Sequence, residues 1–397
     1  MTTHRSIASL LSMAVLGMST AVLCLAQSAL ASDAPASTSA KDASSSLSRD
    51  EVARIIANTR KIVSPQGVEE LVKVRIGGID QWLSIRGKDR RNPILLVLHG
   101  GPASTSMPIA YTYQSPWEDY FTVVQWDQRG AGKTYASNTE QQMAPGMTID
   151  GMTDDAAEVV EYLRKQYDKR KVFLMGHSWG TVLGVRLAQR HPDWFYAYIG
   201  VGQVVNVIRN EELGYRFAMD EAKARGNSAA SKELQAIAPY PGLTPPTIDR
   251  IGVRSKWEMY YGGLAFGRTD YRFDSDAETL SPDYSKGDLD AVGKGSLFTL
   301  KHLLGPLTAV DFDHVTRFGC PVILLTGQHD YTTSHELAEQ WFEHIEAPSK
   351  RLVLFADSAH MVMQEQPGRF LVHLVTDALP LAERAGDVAP AEVARDH

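Results

Sequence analysis

Gly176-His177-Ser178-Trp179-Gly180 is the segment whose residue types point most directly to chemistry. It follows the apolar run Val172 to Met175 and leads into the helical pattern of Thr181 to Gln189. In that setting it has the form of a nucleophile elbow, a strand-to-helix turn so tight that glycines flank the serine and its hydroxyl is thrust above the sheet edge. A motif this short also arises by chance, and a merely structural turn is the alternative. The strand before it and the helix after it favour catalysis by Ser178.

A serine hydroxyl is a weak nucleophile at neutral pH, so it needs a base, and the base needs an acid to orient it. One of the known chain orders is serine, then Asp or Glu, then His, with acid and base each following a late strand. Asp330 follows the strand and turn Val322 to His329, and His360 follows Leu352 to Phe355 in the loop Ala356 to Ala359. Two competitors stand close by. His329 directly precedes the acid candidate on the wrong strand for the base and reads as a surface loop histidine. Asp357 shares one short loop with His360 and would need an unusual turn to orient that ring. Acyl transfer also needs donors aimed at the developing oxyanion. The backbone N–H of Trp179 is one candidate. The other is Gly101, in His99-Gly100-Gly101-Pro102 after the strand-like Ile94 to Leu98, where glycine lets backbone approach substrate.

A rival chemistry is nucleotide binding, because Gly130-Ala131-Gly132-Lys133-Thr134 has the look of the end of a phosphate-binding loop. Asp127 stands where that pattern requires its first glycine, and its carboxylate would repel phosphate. No amphipathic helix clearly follows Thr134.

These residues need a scaffold, and the chain alternates strand-like and helix-like segments to supply one. Val72 to Ile76 and Trp82 to Arg86 read as an opening hairpin. Short apolar runs follow at 94–98, 121–126, 172–175, 196–201, 322–325 and 352–355, the form of strands covered on both faces. Helical patterns lie between them at 153–167, 180–190, 335–345 and 368–379. The expectation is an α/β architecture, a mainly parallel twisted sheet flanked by helices. Residues 204–317 break the alternation with helical patterning and Pro/Gly-rich breaks, and read as a helical cap over the carboxyl edge of the sheet. The core then falls into 48–203 and 318–397.

The N-terminus reads differently. Arg5, the apolar stretch Ile7 to Leu25 and the small-x-small Ala29-Leu30-Ala31 form a secretory signal over 1–31, cut before Ser32. An uncleaved anchor is the alternative, but Ser12, Ser19 and Thr20 interrupt the run. Leu23 before Cys24 argues against lipoprotein processing. Residues 32–47 have the composition of a disordered spacer, and order is expected from Ser48, whose Ser48-Arg49-Asp50-Glu51 has the form of a capping box. The mature protein is expected in the periplasm or outside the cell, with no membrane insertion. It would keep one cysteine, Cys320, and so no intramolecular disulfide.

With 397 residues, 44% hydrophobic and 22% charged, the chain has the composition of a globular protein. A net charge of −7 and no basic cluster with interleaved aromatics exclude nucleic acid as a partner.

Together, His99 to Pro102, Trp126-Asp127-Gln128-Arg129-Gly130-Ala131-Gly132-Lys133-Thr134 and Gly176 to Gly180 resemble the proline iminopeptidase branch of the α/β-hydrolases, from about Leu71 to Leu379. The resemblance implies the α/β-hydrolase fold and hydrolysis through an acyl-enzyme, usually releasing an N-terminal residue, often proline, from a small peptide. It implies Ser178 as nucleophile, His360 as base, Asp330 as acid, Trp179 and Gly101 as oxyanion donors, and no metal or organic cofactor. Ala103 departs from the family's last glycine in that loop. The cap glutamates that hold the substrate's amino group in the family have Glu211, Glu212 and Glu258 as candidates here, each of which also reads as a solvated helix residue. An esterase or amidase of small acyl substrates with the same triad, and a non-catalytic binding protein of this fold, are the competing readings.

Overall fold

The structure, a computed structural model, describes residues 47–242 and 245–390. The expected signal 1–31, with Cys24, and the spacer as far as Ser46 lie outside the described residues. Order begins where the capping box falls: Ser48 Oγ accepts from the Glu51 N–H, and the Glu51 side chain accepts from the Ser48 N–H at the head of the helix Arg49–Thr59.

Eight strands form one sheet: β1 (Val68–Ile76), β2 (Ile79–Gly87), β3 (Ile94–Leu98), β4 (Thr122–Asp127), β5 (Val172–His177), β6 (Phe195–Val201), β7 (Val322–Gly327) and β8 (Lys350–Phe355). Their spatial order is β1-β2-β4-β3-β5-β6-β7-β8. Strand β2 runs antiparallel to both β1 and β4, and every pairing from β4 through β8 is parallel. Strands β3 to β7 are buried along their length, which explains their unbroken Val/Ile/Leu/Phe runs. The edge strand β8 is a correction: only Phe355 is fully buried, so its apolar run is half exposed.

One side of the sheet is packed by the helices Ile149–Gln166 and Trp179–Arg190, and the other by the segment around Ile109–Trp117 and the C-terminal helices. The expected helix at 368–379 is instead Pro367–His373, a π-turn at Leu374–Ala378 and a second helix, Leu379–Glu383. Pro380 has no N–H for a regular helical bond, and the turn widens just before it. Between β6 and β7 lie the helices Val207–Ala224, Ser228–Ala236, Ile248–Tyr260, Arg272–Thr279 and Lys286–Thr308. The first three share a small core of Ala218, Ala222, Ala230, Leu234, Trp257 and Tyr261. Cys320 is buried, and among the described residues no helix is long and apolar enough to cross a membrane.

Candidate active site

Ser178 stands between β5 and the helix Trp179–Arg190 with φ 53° and ψ −121°, a left-handed conformation that costs a non-glycine residue of order 1–3 kcal/mol. Its neighbours make the turn possible. A Cβ on Gly180 would lie 2.0 Å from the Leu98 carbonyl oxygen, and one on Gly176 would lie 2.6 Å from the Gly180 oxygen. The Ser178 N–H donates to the Val201 carbonyl at 2.9 Å, pinning the elbow to the end of β6. Its Oγ is buried and makes no hydrogen bond among the described residues. Trp179 opens the helix, so its N–H has no intrahelical acceptor and points out of the helix N-terminus. Gly101, φ 119°, lies in the loop after β3, and Gly100 sits so close that a Cβ there would touch the Ser178 Cβ at 3.2 Å.

Asp330 and His360 come together from the loops after β7 and β8. His360 Nδ1 donates to Asp330 Oδ2 at 2.8 Å, and Asp330 is further held by the Thr333 N–H at 2.8 Å and the Thr333 hydroxyl at 3.0 Å. The His360 ring lies against Gly202, just beyond Val201, where an added Cβ would meet Cε1 at 2.7 Å. Burial pushes the imidazole pKa down, but the charges of Asp330, Glu258 and Glu365 outweigh it, and the net shift is upward. Of the two competitors, Asp357 is exposed, and His329 stacks on Phe266 with ring centroids 4.2 Å apart.

Neighbouring histidines stay neutral. His177, in the elbow motif, packs its ring 4.7 Å from that of His360 and donates through Nε2 to the His360 carbonyl at 3.1 Å. Burial, then the repulsion of His360, pulls its pKa down to about 3. His99, held down to about 4 chiefly by burial, accepts the Gln128 N–H at Nε2, which leaves Nδ1–H for the Gly100 carbonyl. The Gln128 side chain in turn accepts from the Trp179 indole at 3.0 Å. The three motifs are thus one interlocked unit.

The apparent phosphate loop has a structural job. The Asp127 carboxylate accepts from the Lys133 N–H at 2.7 Å and from the Thr105 and Tyr284 hydroxyls, so it ties the loop after β3 to the cap. A short helix, Gly132–Ser137, does follow, contrary to expectation, but a carboxylate already occupies the loop's amide.

The three cap glutamates part company. Glu212 is exposed, in a surface pair with Arg216. Glu211 and Glu258, against the solvated reading, are buried and share the buried Arg254: its Nη2 lies 2.5 Å from Glu211 Oε1, and its Nη1 pairs with Glu258. Tyr240 also donates to Glu211, and Thr332, two residues after Asp330, donates to Glu258. Arg254 was missed because it reads as one more charge on an amphipathic helix.

Backbone groups in one cap segment, Gly263 to Phe266, fasten both late loops. Tyr331 N–H donates to Gly263 O at 3.1 Å and His360 N–H to Leu264 O at 3.0 Å. Glu365 bridges the Phe266 N–H at 2.5 Å and the Ala359 N–H at 2.9 Å. Thr332 also reaches Gly263 O, at 3.4 Å. Among the described residues no group of three or more His, Cys, Asp or Glu side chains is arranged to hold a metal ion.

A family model described as serine aminopeptidase, S33, matches residues 90–367. The chain is 31% identical over 310 residues to a probable aminopeptidase, YbaC, of Bacillus subtilis (strain 168), covering 78% of this chain and 96% of that protein. It is 24% identical over 298 residues to a probable proline iminopeptidase of Leptolyngbya boryana, covering 70% and 84%. Among solved structures, the fold is similar to that of a proline iminopeptidase-related protein from Thermus thermophilus, with a TM-score of 0.57 at 22% identity over 79% of this chain and 99% of that one. A proline iminopeptidase from Mycobacterium smegmatis aligns with a TM-score of 0.56 at 17% identity over 80% and 100%. The sheet order, the match along residues 90–367 and the relative aligned over most of both chains establish that this chain belongs to the serine aminopeptidase S33 family of α/β-hydrolases.

Proposed function

We propose that the chain is a serine hydrolase working through an acyl-enzyme, and that it releases N-terminal residues, proline-type, from small peptides. The observation that carries the reading is the His360 Nδ1 to Asp330 Oδ2 bond of 2.8 Å, set beside a serine held in a strained elbow. In this mechanism His360 Nε2 takes the Ser178 proton as Oγ attacks the scissile carbonyl. Asp330 holds the ring by its Nδ1–H and stabilises the imidazolium that forms. The Trp179 and Gly101 N–H groups receive the oxyanion, each such donor being worth of order a hundredfold to a thousandfold in rate. His360 then gives its proton to the leaving amine, and water repeats the sequence on the acyl-enzyme. The chain's own residues supply every proton transfer in this scheme.

The purified protein is expected to release arylamine from prolyl or other aminoacyl arylamides, and Ser178→Ala to abolish both that release and labelling by a fluorophosphonate. Inactivity of the unaltered protein against an aminoacyl panel would sink the peptidase reading. Absence of labelling as well would favour a binding protein. One observation favours a second reading, an esterase or amidase of uncharged acyl groups: Glu211 and Glu258, the carboxylates expected to hold a substrate amine, already accept hydrogen bonds from Arg254, Tyr240 and Thr332. A short-chain ester panel run beside the aminoacyl panel separates the two. The expected signal makes the enzyme an exported one, which sequencing the N-terminus of the native protein tests, with Ser32 as the expected first residue.

A further inference from the structure

All four carboxylate oxygens of Glu211 and Glu258 accept hydrogen bonds from Arg254, Tyr240 or Thr332, so a substrate amine would have to compete for them, and a carboxyl oxygen left open is the better amine site. The cap contains one. Asp274, in the helix Arg272–Thr279, is 4% exposed, and its Oδ2 is buried with no hydrogen-bond partner. Among the described residues, no Lys or Arg forms an ion pair with it. Burial pushes its carboxyl up to about 6 against the hydrogen bond of the Tyr271 phenol and the charge of Arg268, which forms no ion pair with it. Glu278 lies in its field and is pushed up to about 8, first by burial and then by Asp274. Tyr113 is 3% exposed, and its hydroxyl, beside the Ser106 and Gln125 side chains, is a second buried polar atom without a hydrogen bond of normal geometry that also feels the Asp274 charge.

An ionised carboxylate buried without a counter-ion is expensive to keep, and a fold that keeps one has usually reserved it for something that arrives charged. The neighbours of Asp274 say from where. Tyr271 and Phe273 pack with Leu264 and Ala265 against Met361, the residue after His360. On the other side the Tyr111 hydroxyl donates to the Ala277 carbonyl at 2.9 Å, which ties the helix to the segment after the Gly101 loop. The helix that carries Asp274 is therefore fastened at one end near the loop that carries His360 and at the other near the segment after the Gly101 loop, the two loops that flank Ser178.

We propose that Asp274, with Tyr113, is the subsite for a protonated amine carried by the acyl group of the substrate. The cation supplies the counter-charge that the fold withholds, and its N–H groups meet the carboxylate and the phenolic oxygen. This rests on the peptidase reading of the same site. It transfers amine recognition from the Arg254-sealed glutamates to the helix Arg272–Thr279.

The test compares three acyl arylamides of equal chain length: alanyl, β-alanyl and propionyl. For the wild-type protein, at least one amine-bearing substrate exceeds propionyl in kcat/KM, mainly through KM. Asp274→Asn lowers that preference about thirtyfold, the scale of losing one partner of a buried charge pair. Tyr113→Phe lowers it about threefold, the scale of one neutral hydrogen bond. A second readout separates recognition from structure: Asp274→Asn removes a buried charge and so raises the melting temperature at pH 8, whereas loss of a structural partner would lower it. An unchanged preference in Asp274→Asn, or a lowered melting temperature with parallel losses on all three substrates, overturns the proposal.

Failure of the peptidase reading looks different. There the wild type cleaves only uncharged acyl substrates, and calorimetry with alaninamide on Ser178→Ala protein decides. Binding that disappears in Ser178→Ala/Asp274→Asn upholds the amine subsite, and no binding to Ser178→Ala overturns it.

Discussion

His360 accepts a proton only when neutral, and the charges around it hold its pKa above the ordinary 6.5 despite burial. Activity is therefore present at higher pH and lost as pH falls through that raised value, so the acidic limb of kcat/KM should lie above pH 6.5. Asp330→Asn removes the largest upward influence, and its limb moves to lower pH while kcat falls about ten-thousandfold. A rate that stays flat from pH 5 to 8 would count against His360 as base. Arg254 makes a different prediction. Arg254→Met strands Glu211 and Glu258 as buried, unpaired charges, and should cost about 3–5 kcal/mol in urea denaturation. At this scale the sequence was legible where chemistry demands a fixed local pattern. Ser178 sits in a turn that only certain neighbours allow, and Asp330 and His360 each follow a strand in a known order. Glu211 and Arg254 are 43 residues apart on separate helices, so nothing local announces their pairing.

At the scale of elements, two glycines make contrasting predictions. A Cβ at Gly180 meets a backbone oxygen of β3 at 2.0 Å, which cannot move without parting strand from helix, so Gly180→Ala should yield little folded protein. A Cβ at Gly202 meets the edge of the His360 ring at 2.7 Å, and the φ of 56° there adds about 1–2 kcal/mol of strain. Gly202→Ala should therefore fold with a modest loss of melting temperature while kcat falls about a hundredfold, since the base is displaced by a fraction of an ångström to an ångström. Thermal denaturation beside kinetics checks both. Strands β3 to β7 were readable because burial on both faces leaves unbroken apolar runs. Strand β8 carries a similar run, and periodicity alone does not reveal that it is an edge. The π-turn before Pro380 was missed because apolar spacing averages over one extra residue in a turn. The cap helices Ile248–Tyr260 and Arg272–Thr279 were covered only by a general helical reading, and these two hold Arg254 and Asp274.

Across the whole molecule, the catalytic loops and the cap are not separate pieces. The segment Gly263 to Phe266 receives or gives hydrogen bonds to Tyr331, His360 and, through Glu365, Ala359. Asp127 makes the corresponding tie between Tyr284 and the loop after β3. The Glu365 carboxyl, pushed up to about 7 chiefly by burial, accepts both the Phe266 and the Ala359 N–H groups. Transplanting a cap from a relative to alter specificity would thus be unsafe at the ends of β6 and β7, where the topology invites a cut. A graft made there exchanges Gly263 to Phe266 along with the pocket, and the base then depends on foreign backbone. A hybrid that keeps this short stretch native and exchanges the helices on either side should retain the acidic limb of the parent enzyme, and one that replaces it should not. In a lineage that diversifies its substrates by remodelling the cap, that stretch is where insertions and deletions would be least tolerated.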